Sequence, residues 1–149
     1  MDDRIKELRQ AFTRLLSYMN QIDVDNIPEG TDRYIIYYRK HLTFEPNPEF
    51  FDSGAILEDI MMKDYIHVVD FYAPPTMKLE DIFMFMQADR WSPNGEAREL
   101  IQRLGLRHTS MSVGDLVEDT NTGVIYEVAG FGFNNVSYGF KTEIKNTKV

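Results

Sequence analysis

One stretch of the chain concentrates the residue types that perform acid–base and nucleophilic chemistry. His108-Thr109-Ser110-Met111-Ser112-Val113-Gly114-Asp115 holds an imidazole, three hydroxyls and a carboxylate within eight positions. Hydrolysis or group transfer by such groups requires a base aimed at a hydroxyl and a third group that aims the base. Neighbouring positions on an extended segment point to opposite sides, so eight consecutive residues rarely converge in this way. The simpler expectation is structural. Ser110, Ser112 and Asp115 bond to nearby backbone, and Gly114 permits the turn that opens a hairpin. No residue is assigned a catalytic role; a small hydrolase or transferase using His108 with Ser110 or Ser112 ranks third among the functional readings.

Other candidate chemistry is weaker. His41, His67 and His108 lie far apart and form no H-x-x-x-H or HExxH pattern, so no metal site is assigned. The adjacent acids Glu58-Asp59, Glu80-Asp81 and Glu118-Asp119 diverge by about 100° on a helix or face opposite ways on a strand, so they do not share a substrate proton. Gly130-Phe131-Gly132-Phe133 contains a G-x-G, but it follows a hairpin rather than opening a helix. It lacks the third glycine of a dinucleotide site, and no cofactor is expected; Gly130 and Gly132 mark a bulge or a close backbone approach. Tyr34, Tyr37 and Tyr38, flanked by Arg33, Arg39 and Lys40, form the better of two aromatic clusters that could stack on bases. A nucleic-acid-associated module using Tyr34 to Lys40 is the second-ranked reading.

The charge map argues against a simple polyanion binder. The formal net charge is −8, and it resides in residues 45–99, where twelve acids meet only Lys63, Lys78, Arg90 and Arg98. Such a field repels phosphate backbones and disfavours direct nucleic-acid binding. It suits a host protein with a basic surface, met through Glu58, Asp59, Glu80, Asp81 and Asp89 with Trp91 as an aromatic anchor. The absence of cysteine removes disulfides, thiolate metal ligands and cysteine nucleophiles together. No apolar run approaches the ~18 residues of a membrane span and the N-terminus carries no signal-peptide core, so a cytoplasmic location is expected.

The elements that must position these residues follow from periodicity. Ile5, Leu8, Phe12, Leu15, Met19 and Ile22, widened by Leu16, predict an amphipathic N-terminal helix that packs on its own domain or pairs in a homodimer. Residues 1–30 form this helix and its turn; residues 31–149 form one domain. Tyr34-Ile35-Ile36-Tyr37-Tyr38 predicts a strand, residues 50–62 a short helix, and the apolar run 65–72 a central strand covered on both faces. Helices are expected at 79–87 and 96–104. Beyond Arg107 the period becomes two, with a hairpin loop Asp119-Thr120-Asn121-Thr122-Gly123. Phe131, Phe133, Val136, Tyr138 and Phe140 continue as strand through a turn at Asn134-Asn135. The fold class is α+β: an N-terminal amphipathic helix, a small mixed or antiparallel sheet with short helices, and a C-terminal β-hairpin region.

A helix of the Leu79-Glu80-Asp81-Ile82-Phe83 type, then Ser110-Met111-Ser112-Val113-Gly114-Asp115, then Tyr126-Glu127-Val128-Ala129-Gly130-Phe131-Gly132-Phe133, resembles the YodL-like domain of small bacteriophage and mobile-element proteins. The resemblance covers about residues 65–136 and is interrupted by an extra helix at 93–104. It implies an accessory protein acting in the bacterial host cytoplasm, and it brings no active site with it. The leading expectation is therefore a non-enzymatic phage-type accessory protein that binds a host protein through an acidic and aromatic surface.

Overall fold

The structure, a computed structural model, describes residues 2–52 and 54–137. The fold is α+β. Helix α1 (Asp3–Met19) leads to strand β1 (Asp32–Arg39), a 3-10 helix (Pro48–Phe51), α2 (Leu57–Asp64) and β2 (Tyr65–Ala73). Three short helices follow, α3 (Leu79–Phe85), α4 (Ala88–Trp91) and α5 (Arg98–Arg103), before β3 (Leu116–Asp119), β4 (Val124–Val128) and β5 (Phe133–Asn135). The strands form one antiparallel sheet in the order β2-β1-β3-β4-β5.

Strand alternation sends side chains to two cores. Tyr34, Ile36 and Tyr38 of β1, with Val69, Phe71 and Val117, meet Phe12, Leu16, Ile82, Met86, Trp91 and Leu100 on one face. Leu116, Ile125 and Tyr65 meet Phe50, Leu57, Ile60 and Val136 on the other. The sheet is therefore a middle layer. Helices α1, α3, α4 and α5 cover one side, and the 3-10 helix and α2 cover the other.

The apolar run at 65–72 is an edge strand, not the expected central one. Its free edge is closed by α1, which presents Arg9, Thr13 and Ser17 in a polar row one turn apart. The Arg9 guanidinium donates to the carbonyls of His67 and Val68, the Thr13 hydroxyl to Asp70, and Ser17 Oγ accepts from Tyr72 N–H at 2.9 Å. Covering an edge in this way satisfies its backbone groups and blocks pairing with another chain. The same docking turns α1 about its axis. Its buried residues are Phe12, Leu16 and Ser17, with Ile5 and Leu8 packed beside them, whereas Leu15 and Met19 are exposed. The expected burial of Leu15 and Met19 is thus corrected.

Four further expectations change. Tyr34 and Tyr38 are buried in the first core, so the cluster at Tyr34 to Lys40 offers no stacking platform for bases. Gly130-Phe131-Gly132 is the turn between β4 and β5 rather than strand: Ala129 N–H donates to Gly132 O at 3.0 Å, and Gly132 has φ +76°. Asn134 and Asn135 lie in β5 rather than in a turn. The helix expected across 50–62 divides into the 3-10 helix and α2, because Asn47 caps Glu49 N–H and the chain extends again at Asp52 and Ile56. Tyr138 and Phe140 lie outside the described residues.

Candidate functional site

The buried polar groups gather at one end of the sheet, where β1 and β4 end and β2 and β3 begin. Asp115, just before β3, is fully buried. Its Oδ1 accepts from Arg39 N–H at 2.8 Å, and its Oδ2 accepts from Ser112 N–H at 2.8 Å and lies 3.2 Å from His108 Nε2. Burial raises the Asp115 carboxyl above its ordinary range, and the His108 ring and the two backbone donors oppose that rise. Gly114 allows the approach. It has φ +95°, and a Cβ there would sit 3.1 Å from Glu45 O.

His108 is held on a second side by Tyr38, whose ring stacks on the imidazole at 4.6 Å with an interplanar angle of 17°. The Tyr38 hydroxyl donates to Thr109 O, as does Trp91 Nε1. This locks the segment that carries His108 against the first core. The serines are used otherwise. Ser110 Oγ accepts from Ala88 N–H, and Ser112 Oγ lies 3.4 Å from Ser110 O. Neither hydroxyl meets the imidazole, so the structure builds a His–Asp pair without a serine in line with it. Ser112 N–H and Arg39 N–H both donate to Asp115, and Gly114 adopts a positive φ beside it.

On the other face of the same sheet end, Glu127 is fully buried. Its Oε2 accepts from Asn47 N–H at 2.6 Å, and the Asn134 side chain, opposite it on β5, also stabilises the carboxylate. Asn47, also buried, donates from Nδ2 to Asp64 at 3.0 Å. Burial lifts the Glu127 carboxyl to about 7 against the opposing pull of Asn47 N–H and Arg39. Sequence reasoning missed Glu127, although its signal was present: it alternates in phase with Ile125 and so had to face a core.

A third polar group lies beside the β2 edge. The register shift after Ile36 pairs Val69 with Ile36 and His67 with Tyr37, leaving Val68 as the bulged residue. Asp70 accepts from Arg33 Nε and Nη2 at 2.9 and 2.6 Å, and His67 Nε2 lies 3.7 Å away. Burial would raise Asp70, but His67 and Arg33 outweigh it and hold the carboxyl at about 2. Among the described residues, no three His, Asp or Glu side chains gather as metal ligands would.

The acids proposed to meet a partner do not form one surface. Glu58 and Asp59 are exposed on α2, on the side of the second core. Glu80, Asp81 and Asp89 are exposed on α3 and α4, across the sheet. Asp81 also accepts from Lys78 N–H, capping its own helix. Trp91 is 1% exposed and packs edge-on against Phe12 at 5.3 Å, so it is a core residue and not a contact anchor. Among the described residues the exposed large apolar side chains are others: Phe51, Ile56 and Met62 around α2, Leu15, Tyr18 and Met19 on α1, Ile27 and Phe44 in the segments flanking β1, Met84 on α3, and Phe131 at the β4–β5 turn.

No family model, curated protein or solved structure matches the chain.

Proposed function

We propose that this chain is a non-enzymatic accessory protein of the bacteriophage and mobile-element kind, and that it binds a basic host protein through the layer made by the 3-10 helix and α2. One observation carries this reading. Phe51, Ile56 and Met62 stand 67%, 57% and 80% exposed in a single layer that also exposes Asp52, Glu58 and Asp59. Between α2 and the sheet runs a shallow apolar groove of about 300 Å³, lined by Leu57, Met61, Met62 and Ile125 with Glu58 and Glu118 at its margin. Exposed apolar groups with Asp52, Glu58 and Asp59 at their margin, and with Lys63 paired to Glu49, suit a partner that presents apolar side chains within a basic rim. The likeness to YodL-like proteins around Ser110-Met111-Ser112-Val113-Gly114-Asp115 supports the accessory role. Glu80, Asp81 and Asp89, on the far side of the sheet, add to the long-range field that draws a basic partner but do not touch it.

The test is affinity capture from a bacterial lysate, followed by binding kinetics with the captured protein. The double reversal Glu58→Lys, Asp59→Lys should slow association and flatten its salt dependence, because rim charges steer encounter. Phe51→Ser with Met62→Ser should mainly speed dissociation. Reversal of Glu80 and Asp81 should have the smaller effect. A partner whose rates ignore both α2-layer variants would place the contact elsewhere and overturn the reading.

A further inference from the structure

A chain with net charge −8 has acids to spare for its cations, yet among the described residues one cleft gathers Lys40 and Arg107 with no acid paired to either. The cleft, about 540 Å³, opens where the chain leaves β1 and where it leaves α5, and it is lined by Lys40, His41, Leu42, Gly105, Arg107 and His108. None of these is acidic. Lys40, His41 and Arg107 are exposed, and among the described residues neither Lys40 nor Arg107 is in an ion pair. The Lys40 ammonium reaches only the Met62 carbonyl, at 3.4 Å. At the end of α5, Gln102 O and Ile101 O accept from Gly105 and Leu106 N–H.

The fourth group is fixed in place. His108 Nε2 faces Asp115 Oδ2 at 3.2 Å, and the ring lies flat on Tyr38, so the imidazole keeps one orientation with Nδ1 as the nitrogen that Asp115 does not engage. A carboxylate behind an imidazole orients the ring and supports its charged form. Two flexible cations beside one preorganised imidazole are the donors that a compact phosphate dianion calls for. Volumes of this size take small ligands.

We infer that this cleft binds a small molecule bearing a terminal phosphate monoester, held by Lys40, Arg107 and His108. The phosphate oxygens accept from the Lys40 ammonium and the Arg107 guanidinium. His108 faces Asp115 through Nε2 and offers Nδ1 to the phosphate. A nucleic-acid backbone is the poorer occupant, since the chain's net charge of −8 repels a long polyanion.

The probes are ribose 5-phosphate, inorganic phosphate and a short single-stranded oligonucleotide, titrated into the full chain and followed by amide chemical shifts. Saturable shifts confined to residues 40–42 and 105–108 are expected with the two phosphate compounds. Lys40→Gln and Arg107→Gln, both at exposed positions, should each weaken binding about fivefold, the scale of one charge-assisted contact. His108→Gln should weaken it further, and Lys6→Gln on α1 should leave it unchanged. Non-saturating shifts, equal weakening by Lys6→Gln, or tighter binding of the oligonucleotide than of ribose 5-phosphate would each overturn the assignment.

Discussion

Glu127 combines full burial with no cation in direct contact, its partners being the Asn47 backbone N–H and the Asn134 side chain, and this makes its charge a liability that the fold carries at neutral pH. Its folded pKa, about 7, lies above the ordinary 4.5, so the native state binds its proton more tightly than the unfolded chain does. The sign follows directly. The contribution of Glu127 to stability is fully present below the unfolded pKa and is lost as pH rises through about 7. Glu127→Gln keeps an oxygen for Asn47 N–H and removes the charge. It should raise stability by about 1–2 kcal/mol near pH ~8 and give no gain near pH ~4, as read from urea midpoints at the two pH values. An equal effect at both would mean that Glu127 stays ionised in the fold without penalty.

At the scale of elements, the edge of β2 shows why helix α1 is polar where it is most buried. Ser17 is completely covered, and its Oγ takes the Tyr72 N–H that the edge strand cannot pair within the sheet. Ser17→Ala removes the acceptor without adding bulk, leaving a shielded backbone donor unmatched. The expected cost is about 1–3 kcal/mol, with faster hydrogen exchange at Tyr72 than at residues of β1. Unchanged protection at Tyr72 would show that water serves this edge as well as α1 does. The element boundaries that periodicity predicted well were those set by local chemistry. Asp2 accepts from Arg4 N–H at the start of α1, and Gly123, with φ +75°, closes the β3–β4 loop. The boundary at Gly130-Phe131-Gly132 was misjudged because aromatic and glycine alternation is the same in a strand and in a tight turn flanked by strands.

For the whole molecule, α1 decides how the chain meets copies of itself. The stripe of Phe12 and Leu16 is spent on the sheet, and the side left open carries Leu15, Tyr18 and Met19 beside a shallow groove of about 520 Å³ that reaches Ile22 and Val24. We expect this ridge, with Arg14 and Asp23 at its margin, not to hold a dimer, which commonly buries roughly 800 Å² per partner. Light scattering at micromolar concentration should therefore give the monomer mass. Leu15→Glu with Tyr18→Glu should leave that mass unchanged and shift stability by no more than about 0.5 kcal/mol each. A dimer mass that the double variant halves would return the helix to the role of an interface.

Periodicity and turn chemistry alone were enough to determine the fold class and the existence of α1, β1, β2 and the β3–β4 hairpin. These depend on contacts between near neighbours, where spacing and residue type are the whole of the physics. Tertiary structure decided the rest. The apolar run of β2 reads the same at a sheet's centre as at an edge closed by Arg9, Thr13 and Ser17, because a strand's own residues do not encode what covers its free hydrogen bonds. Trp91 and Tyr38 have side chains suited equally to a surface and to a core, and their burial was settled by Phe12, His108 and Thr109, which are distant in the chain. The cleft joins Lys40 to Arg107 across 67 positions, and the acids of residues 45–99, contiguous in sequence, are divided by the sheet into two surfaces. Charge is a property of residues, but a field or a site is a property of where the chain's return paths place them.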